Sequence, residues 1–127
     1  MHQFEFNNTA VNLKTPAAVT ADTFGILFDL ESYTGQGLLI LNTGAGTADS
    51  GVTPALVVTL QSSTTSDGTF ADVSGAAFTA LDTTASHEAI GFDLRAANRY
   101  CKLEFDITGS GASYLCAAEG MFNNRGW

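Results

Sequence analysis

The feature that most constrains the fold is a two-residue alternation that recurs in short segments and is cut each time by turn-forming residues. It is cleanest between Asn98 and Thr108, where Cys101, Leu103, Phe105 and Ile107 alternate with Lys102, Glu104 and Asp106. A period of two puts one set of side chains on each face of an extended strand, so this segment reads as a half-buried strand. Leu56, Val58 and Leu60 alternate in the same way with Val57, Thr59 and Gln61 across Pro54 to Ser62. Further strands are expected at Phe24 to Leu30, Gly37 to Asn42, Phe70 to Val73, Ala77 to Leu81, His87 to Leu94 and Ala112 to Phe122. Between them lie Glu31 to Gln36, the glycine-rich Thr43 to Thr53, Ser66-Asp67-Gly68-Thr69 and Gly109-Ser110-Gly111, all good turn chemistry. Leu94 to Asn98 has room for a single helical turn.

About eight or nine short strands with turns every eight to twelve residues predict an all-β chain, a single β-sandwich, jelly-roll-like, although periodicity does not choose between jelly-roll and immunoglobulin-like strand order. At 127 residues, 45 % of them hydrophobic, one such domain can form its core without metal or disulfide support. The expected organisation is an extended N-terminal arm over residues 1–22, a body over 23–120 and a short tail over 121–127. In the arm, Phe4 and Phe6, then Val11 and Leu13, are spaced for one face of an extended segment, and Pro16 argues against helix.

Two cysteines, Cys101 and Cys116, fall on segments read as a hairpin around Gly109-Ser110-Gly111. With a loop from Thr108 to Gly111, Cys101 would oppose Ala118 and Leu103 would oppose Cys116. The sulfurs would then be diagonal neighbours, a poor geometry for a bridge, and buried free thiols are expected. A shifted register would bring them closer.

Charge narrows the partners. The formal net charge is −8, with Lys14, Arg95, Arg99, Lys102 and Arg125 as the basic residues. A surface this acidic repels a phosphate backbone, so direct nucleic-acid binding is not expected. No apolar run approaches the ~20 residues of a membrane helix, and the opening residues lack a secretory pattern, so synthesis and retention in a cytosol are expected.

The chemical inventory is thin. His2 and His87 are the histidines, and neither cysteine has an obvious histidine partner. There is no nucleophile elbow, and Gly35-x-Gly37 and Gly44-x-Gly46 lack the lysine of a phosphate-binding loop. Asp67, Asp49, Asp29 and Glu31 do not reach the spacing of a calcium loop. No catalytic residue, metal site or cofactor is expected. Binding remains, either to other proteins or, as an alternative, to a carbohydrate through Tyr33, Tyr100 or Tyr114.

The second half carries a resemblance. Asp67-Gly-Thr-Phe-Ala-Asp-Val73, Ile90-Gly-Phe-Asp-Leu94, Asn98-Arg-Tyr-Cys-Lys-Leu-Glu-Phe105, the Gly109 to Gly111 turn and Tyr114 to Phe122 resemble small tailed-bacteriophage capsid decoration (cement) proteins. Arg99-Tyr100 stands where that family has an Arg-Tyr pair, and Gly120 where it has a terminal glycine. The match covers residues 67–122. It implies a virion structural protein, made in the host cytoplasm, that binds the outer surface of the major capsid protein and further copies of itself as a dimer or trimer. The expected interface residues are Phe4, Phe6, Val11, Leu13, Arg99, Tyr100, Phe122, Arg125 and Trp127. Aromatics near chain ends can bury large area against a neighbour. Phe4 and Phe122 could equally complete the domain's own core. The alternative is a ligand- or carbohydrate-binding module of a phage tail or surface protein.

Overall fold

The structure is a computed structural model and describes residues 8–125. Nine strands run through them: β1 Asn8–Val19, β2 Thr23–Phe24, β3 Phe28–Asp29, β4 Tyr33–Thr43, β5 Ala55–Ser63, β6 Ala71–Ala77, β7 Ser86–Asp93, β8 Tyr100–Thr108 and β9 Tyr114–Asn124. A 3₁₀ turn at Leu94–Ala96 separates β7 from β8, with the Asp93 carboxylate accepting from the Arg95 N–H. One sheet has the order β1-β9-β4-β7; the other has β2-β8-β5-β6, with β3 also paired to β8.

The pairings are nested. β1 runs antiparallel to β9, β2 and β3 to β8, β4 to β7, and β5 to β6. The chain is thus a long hairpin folded back at the β5–β6 turn and rolled. The pairs β9–β4 and β8–β5 join its turns side by side into two sheets. This is the strand order of a jelly roll, two interlocked Greek keys.

Alternation explains the core. In β8, Cys101, Leu103 and Phe105 are fully buried, and in β5 so are Leu56, Val58 and Leu60 to within 1 %. Leu39 and Leu41 of β4, Leu13 of β1 and Tyr114, Cys116 and Phe122 of β9 meet them from the other sheet. Burying such side chains stabilises by roughly 1.5–3 kcal/mol each. Buried polar groups are answered locally: Ser62 Oγ accepts from the Asn98 N–H at 3.0 Å, and Thr43 Oγ1 donates to Ser86 O at 3.4 Å.

Several expectations need correction. β8 and β9 do not form a hairpin: they lie in opposite sheets, and the Gly109–Gly111 turn carries the chain across the sandwich. Cys101 and Cys116 therefore have no shared ladder, and both are free and buried. Phe24 to Leu30 is not one strand. After β2 the Ile26 N–H bonds to Leu13 O of the facing sheet at 2.8 Å, which pulls the chain off β8 until β3. Phe70 to Val73 and Ala77 to Leu81 are not two separate strands; β6 spans Ala71–Ala77 and absorbs Gly75, at φ +78°, in a bulge opposite Thr59 and Gln61, and beyond it Phe78 and Leu81 still bond to Val58 and Leu56 of β5. The segment read as an arm enters the sheet at Asn8, and the segment read as a tail continues β9 to Asn124.

One end of the core is aromatic. Phe122 lies 5.3 Å from Phe28, 5.2 Å from Tyr33 in a stack and 6.3 Å from Phe92 edge-on, between ring centroids. Gly37 makes room for it, because a Cβ there would stand 2.8 Å from Cε1 of both Phe122 and Phe92. Gly37→Ala should therefore cost about 1–3 kcal/mol by overpacking. On the neighbouring strand, a Cβ at Gly91 meets nothing nearer than Gly37 O at 3.8 Å. Gly91→Ala should leave stability unchanged or raise it by up to about 1 kcal/mol. Urea titration of the two variants checks the contrast.

Candidate functional site

The aromatic end carries the most distinctive surface. There, Leu30 after β3, Tyr33 at the start of β4, Leu94 in the 3₁₀ turn, Arg99 before β8 and Arg125 after β9 converge on a depression of about 340 Å³. Its floor is apolar, from Leu30, Leu94, Ala97 and Tyr33, and Tyr33 stacks on Phe122 beneath. Its rim holds Arg95, Arg99 and Arg125, three of the chain's five cationic side chains.

Each guanidinium is held by one edge. Arg99 Nε and Nη2 donate to Asp29 at 2.9–3.1 Å, and Nη2 also reaches Glu31 Oε2 at 2.8 Å. Arg125 Nε donates to Glu31 O at 2.9 Å and its Nη2 to Tyr33 O at 3.1 Å. Arg95 forks onto Asp93, with Nη2 at 2.9 Å. The Nη1 group of each makes no hydrogen bond to a described residue. Asp29, Glu31 and Asp93 balance the three positive charges, so what the rim offers is directional N–H donors rather than a strong field. Oriented guanidinium groups suit carboxylates, which they can meet in bidentate fashion.

The chemistry elsewhere differs. Lys102 Nζ sits 3.9 Å from the Phe24 ring and 4.1 Å from the Phe70 ring, a cation held between two aromatic faces. It lies on the outer face of the β2-β8-β5-β6 sheet among Asp22, Asp72, Glu104 and Asp106. Burial, then repulsion from those three aspartates, holds the Glu104 carboxyl above its ordinary value. The outer face of the other sheet is nearly uncharged, with Leu115 and Leu38 exposed. Among the described residues no group of three or more His, Cys, Asp or Glu could hold a metal ion, and no helix is long and apolar enough to cross a membrane.

The residues singled out in sequence separate into three groups. Arg99 and Arg125, distant in the chain, come together at the depression, and Arg99 also lies 4.9 Å over the Tyr100 ring. Leu13 and Phe122 are fully buried and belong to the core; Val11 packs against it. That corrects their assignment to a docking surface: each points inward at its strand position. Phe4, Phe6 and Trp127 lie outside the described residues. Arg95 was not among the expected interface residues; its place on the rim depends on the 3₁₀ turn, for which Asp93 two residues earlier was the available signal. The three tyrosines do not make a shared platform. Tyr114 is buried, its hydroxyl donating to Asp82 O at 2.5 Å, and Tyr33 and Tyr100 lie on different sheets.

Burial pushes the Cys101 thiol up to about 12, with the nearby Asp29 charge adding to it, and the Cys116 thiol up to about 11. Thiolate is the reactive form, so both thiols should resist iodoacetamide at pH 8 in the folded protein and react fully in denaturant. Mass spectrometry of the labelled protein checks this. Arg99 holds the Asp29 carboxyl below its ordinary 3.8, chiefly by hydrogen bonding. A lowered folded-state value adds stability above pH 3.8 that is lost as pH falls through the folded value. Arg99→Gln should lower Tm modestly at pH 7, since the pair is exposed, and the difference from the parent should shrink as Asp29 protonates below pH 3.8.

No protein-family model matches the sequence, and no curated protein matches it. Solved structures share its fold. The crystal structure of the SPBc2 prophage-derived protein YomS superimposes with a TM-score of 0.53 at 13 % identity, covering 91 % of this chain and 92 % of that one. The VP2 subviral particle of infectious bursal disease virus gives 0.50 at 12 % identity, over 92 % of this chain and 32 % of that chain. The Gx strain of the same virus gives 0.53 at 14 % identity, over 94 % and 32 %. This chain thus spans nearly all of the prophage-derived protein but about a third of the viral chains. At these identities the likeness is one of fold: a β-sandwich shared with a prophage-derived protein and with part of viral particle proteins.

Proposed function

We propose that the chain is a structural protein of a viral particle, a decoration subunit that docks on the major capsid protein from outside and performs no catalysis. The observation that carries this reading is the two-way overlap with a prophage-derived protein of nearly equal extent, in the same sandwich found within a viral particle protein. A sandwich of this size, with its polar groups spread over two faces and one end, suits a small subunit added to a shell. The resemblance of residues 67–122 to tailed-phage decoration proteins points the same way.

The arginine-rimmed depression is the proposed contact with the capsid protein. Three guanidinium groups already oriented by their inner edges lose little side-chain freedom on meeting a carboxylate. The acidic outer face around Glu104 would then look away from the shell. Residues 1–7 and Trp127 are proposed to add apolar grip from the chain ends.

Co-sedimentation with empty capsids tests this. The parent should pellet with capsids, and Arg99→Ala combined with Arg125→Ala should weaken binding by about tenfold or more, the loss typical of interface anchors. Deleting residues 1–7, or Trp127→Ala, should weaken it further. Truncating at residue 121 is no test, because it removes Phe122 from the core. Undiminished binding by the double arginine variant would overturn the placement of the contact. Failure of the parent to bind any capsid would overturn the decoration role.

A further inference from the structure

Each sheet has two edges, and an edge strand offers unpaired N–H and C=O groups to any other strand unless something blocks it. Three of the four edges are blocked. β1 carries Pro16 and two breaks in its register with β9, between Asn12 and Lys14 and between Lys14 and Ala17. β2 and β3 have two residues each. β6 is bulged around Gly75. The fourth, β7, differs. It keeps unbroken register with β4 from Ser86 to Asp93, contains no proline, lysine or bulge, and no described strand pairs with its other side; its Glu88 carboxylate accepts from Thr79 N–H at 2.9 Å and Thr79 Oγ1 at 3.1 Å. His87, Ala89 and Gly91 of β7 are exposed on the outer face, whereas Glu88, Ile90 and Phe92 alternate inward.

We infer that β7 is a pairing site for β7 of a second copy, forming a two-fold dimer with one continuous eight-stranded sheet. Antiparallel strands keep their outer faces together only if odd residues oppose odd and even oppose even. Centring the two-fold on Ile90 satisfies this: His87 opposes Asp93, Glu88 opposes Phe92 and Ala89 opposes Gly91. No carboxylate then faces a carboxylate: His87 faces the Asp93 of the other copy, whose charge is already balanced by its own Arg95. A seam without opposed carboxylates matters for a chain of net charge −8, whose copies repel wherever their acidic faces meet. Small Ala89 and Gly91 at the seam, beside the exposed Leu38 of β4, let the backbones approach without a clash. A two-fold pairing of this kind is closed and adds no further edge of β7.

Sedimentation velocity across about 1 µM to 1 mM should show a monomer–dimer equilibrium. The amides of His87 to Phe92 should gain protection from exchange as concentration rises. Ala89→Lys with Gly91→Lys places like charges opposite one another at the seam and should weaken dimerisation by tenfold or more. The Gly91 position has room for a side chain, so circular dichroism should report an unchanged fold. Ala89→Glu with Gly91→Glu should behave likewise, and a mixture of the two double variants should restore the dimer as a heterodimer. If either pair misfolds, the parent's concentration-dependent exchange decides alone. A parent that stays monomeric throughout overturns the inference, leaving the edge to a strand from another protein. So does protection at His87 to Phe92 that is independent of concentration, since the chain's own residues would then cover the edge. A dimer untouched by the lysine pair also overturns it.

Discussion

Everything in this molecule depends on two alternating sheets having only each other to bury their apolar faces against. Neither face could remain open in water: Leu56, Val58, Leu60, Leu103 and Phe105 on one side and Leu13, Leu39, Leu41 and Phe122 on the other are close to fully excluded from solvent. The clamp is tightest at Phe122, which touches rings from β3, β4 and β7 and so ties both sheets at one end. The arginine rim follows from that packing. Tyr33 stacks on Phe122 and floors the depression, and Arg125 follows Phe122 by three residues, so the ring that closes the core also sets where the guanidinium groups stand.

The two broad faces and the rim then divide the surface chemically. Acids gather over β8 and its neighbours, where Lys102 is held between Phe24 and Phe70. The opposite face carries little charge. Cations concentrate at the aromatic end, each anchored by carboxylates or carbonyls of the strand ends around it. None of these groups is aimed into a water-excluded cleft beside a nucleophile, and the two thiols are sealed in the core with raised proton affinities.

How much of this was legible in the chain differed with the range of the interaction. Period-two alternation located β5, β7, β8 and β9 closely, because burial on one face imprints itself directly on sequence. Room for a single turn after Leu94 was visible too, whereas the Asp93 side chain that caps it was not. Pairing was not legible. Gly109-Ser110-Gly111 has the composition of a hairpin, yet composition cannot say whether a tight turn stays within a sheet or crosses between two. The break after Phe24 depends on Leu13 O in the facing sheet, and Gly75 looks like a strand end although β6 runs through it as a bulge. The site suffered likewise: Arg99 and Arg125 meet only because β8 begins and β9 ends on the same rim. Phe122 looked like an anchor for a neighbour because it lies near the chain end, but the alternation of β9 turns it inward.

The nested pairing has a consequence for how the sandwich comes into being. The Thr9 hydroxyl bonds to Asn124 across 115 positions of sequence, and β1 can take its place only beside β9. On a ribosome, β1 emerges well before β9, so its apolar Leu13 lacks its partner strand until β9 is made. Folding of such a chain is dominated by distant contacts and completes after synthesis, slowly relative to helical domains of equal length. That interval exposes unpaired strands to premature association, and the proline and bulges that interrupt β1 guard the strand that waits longest.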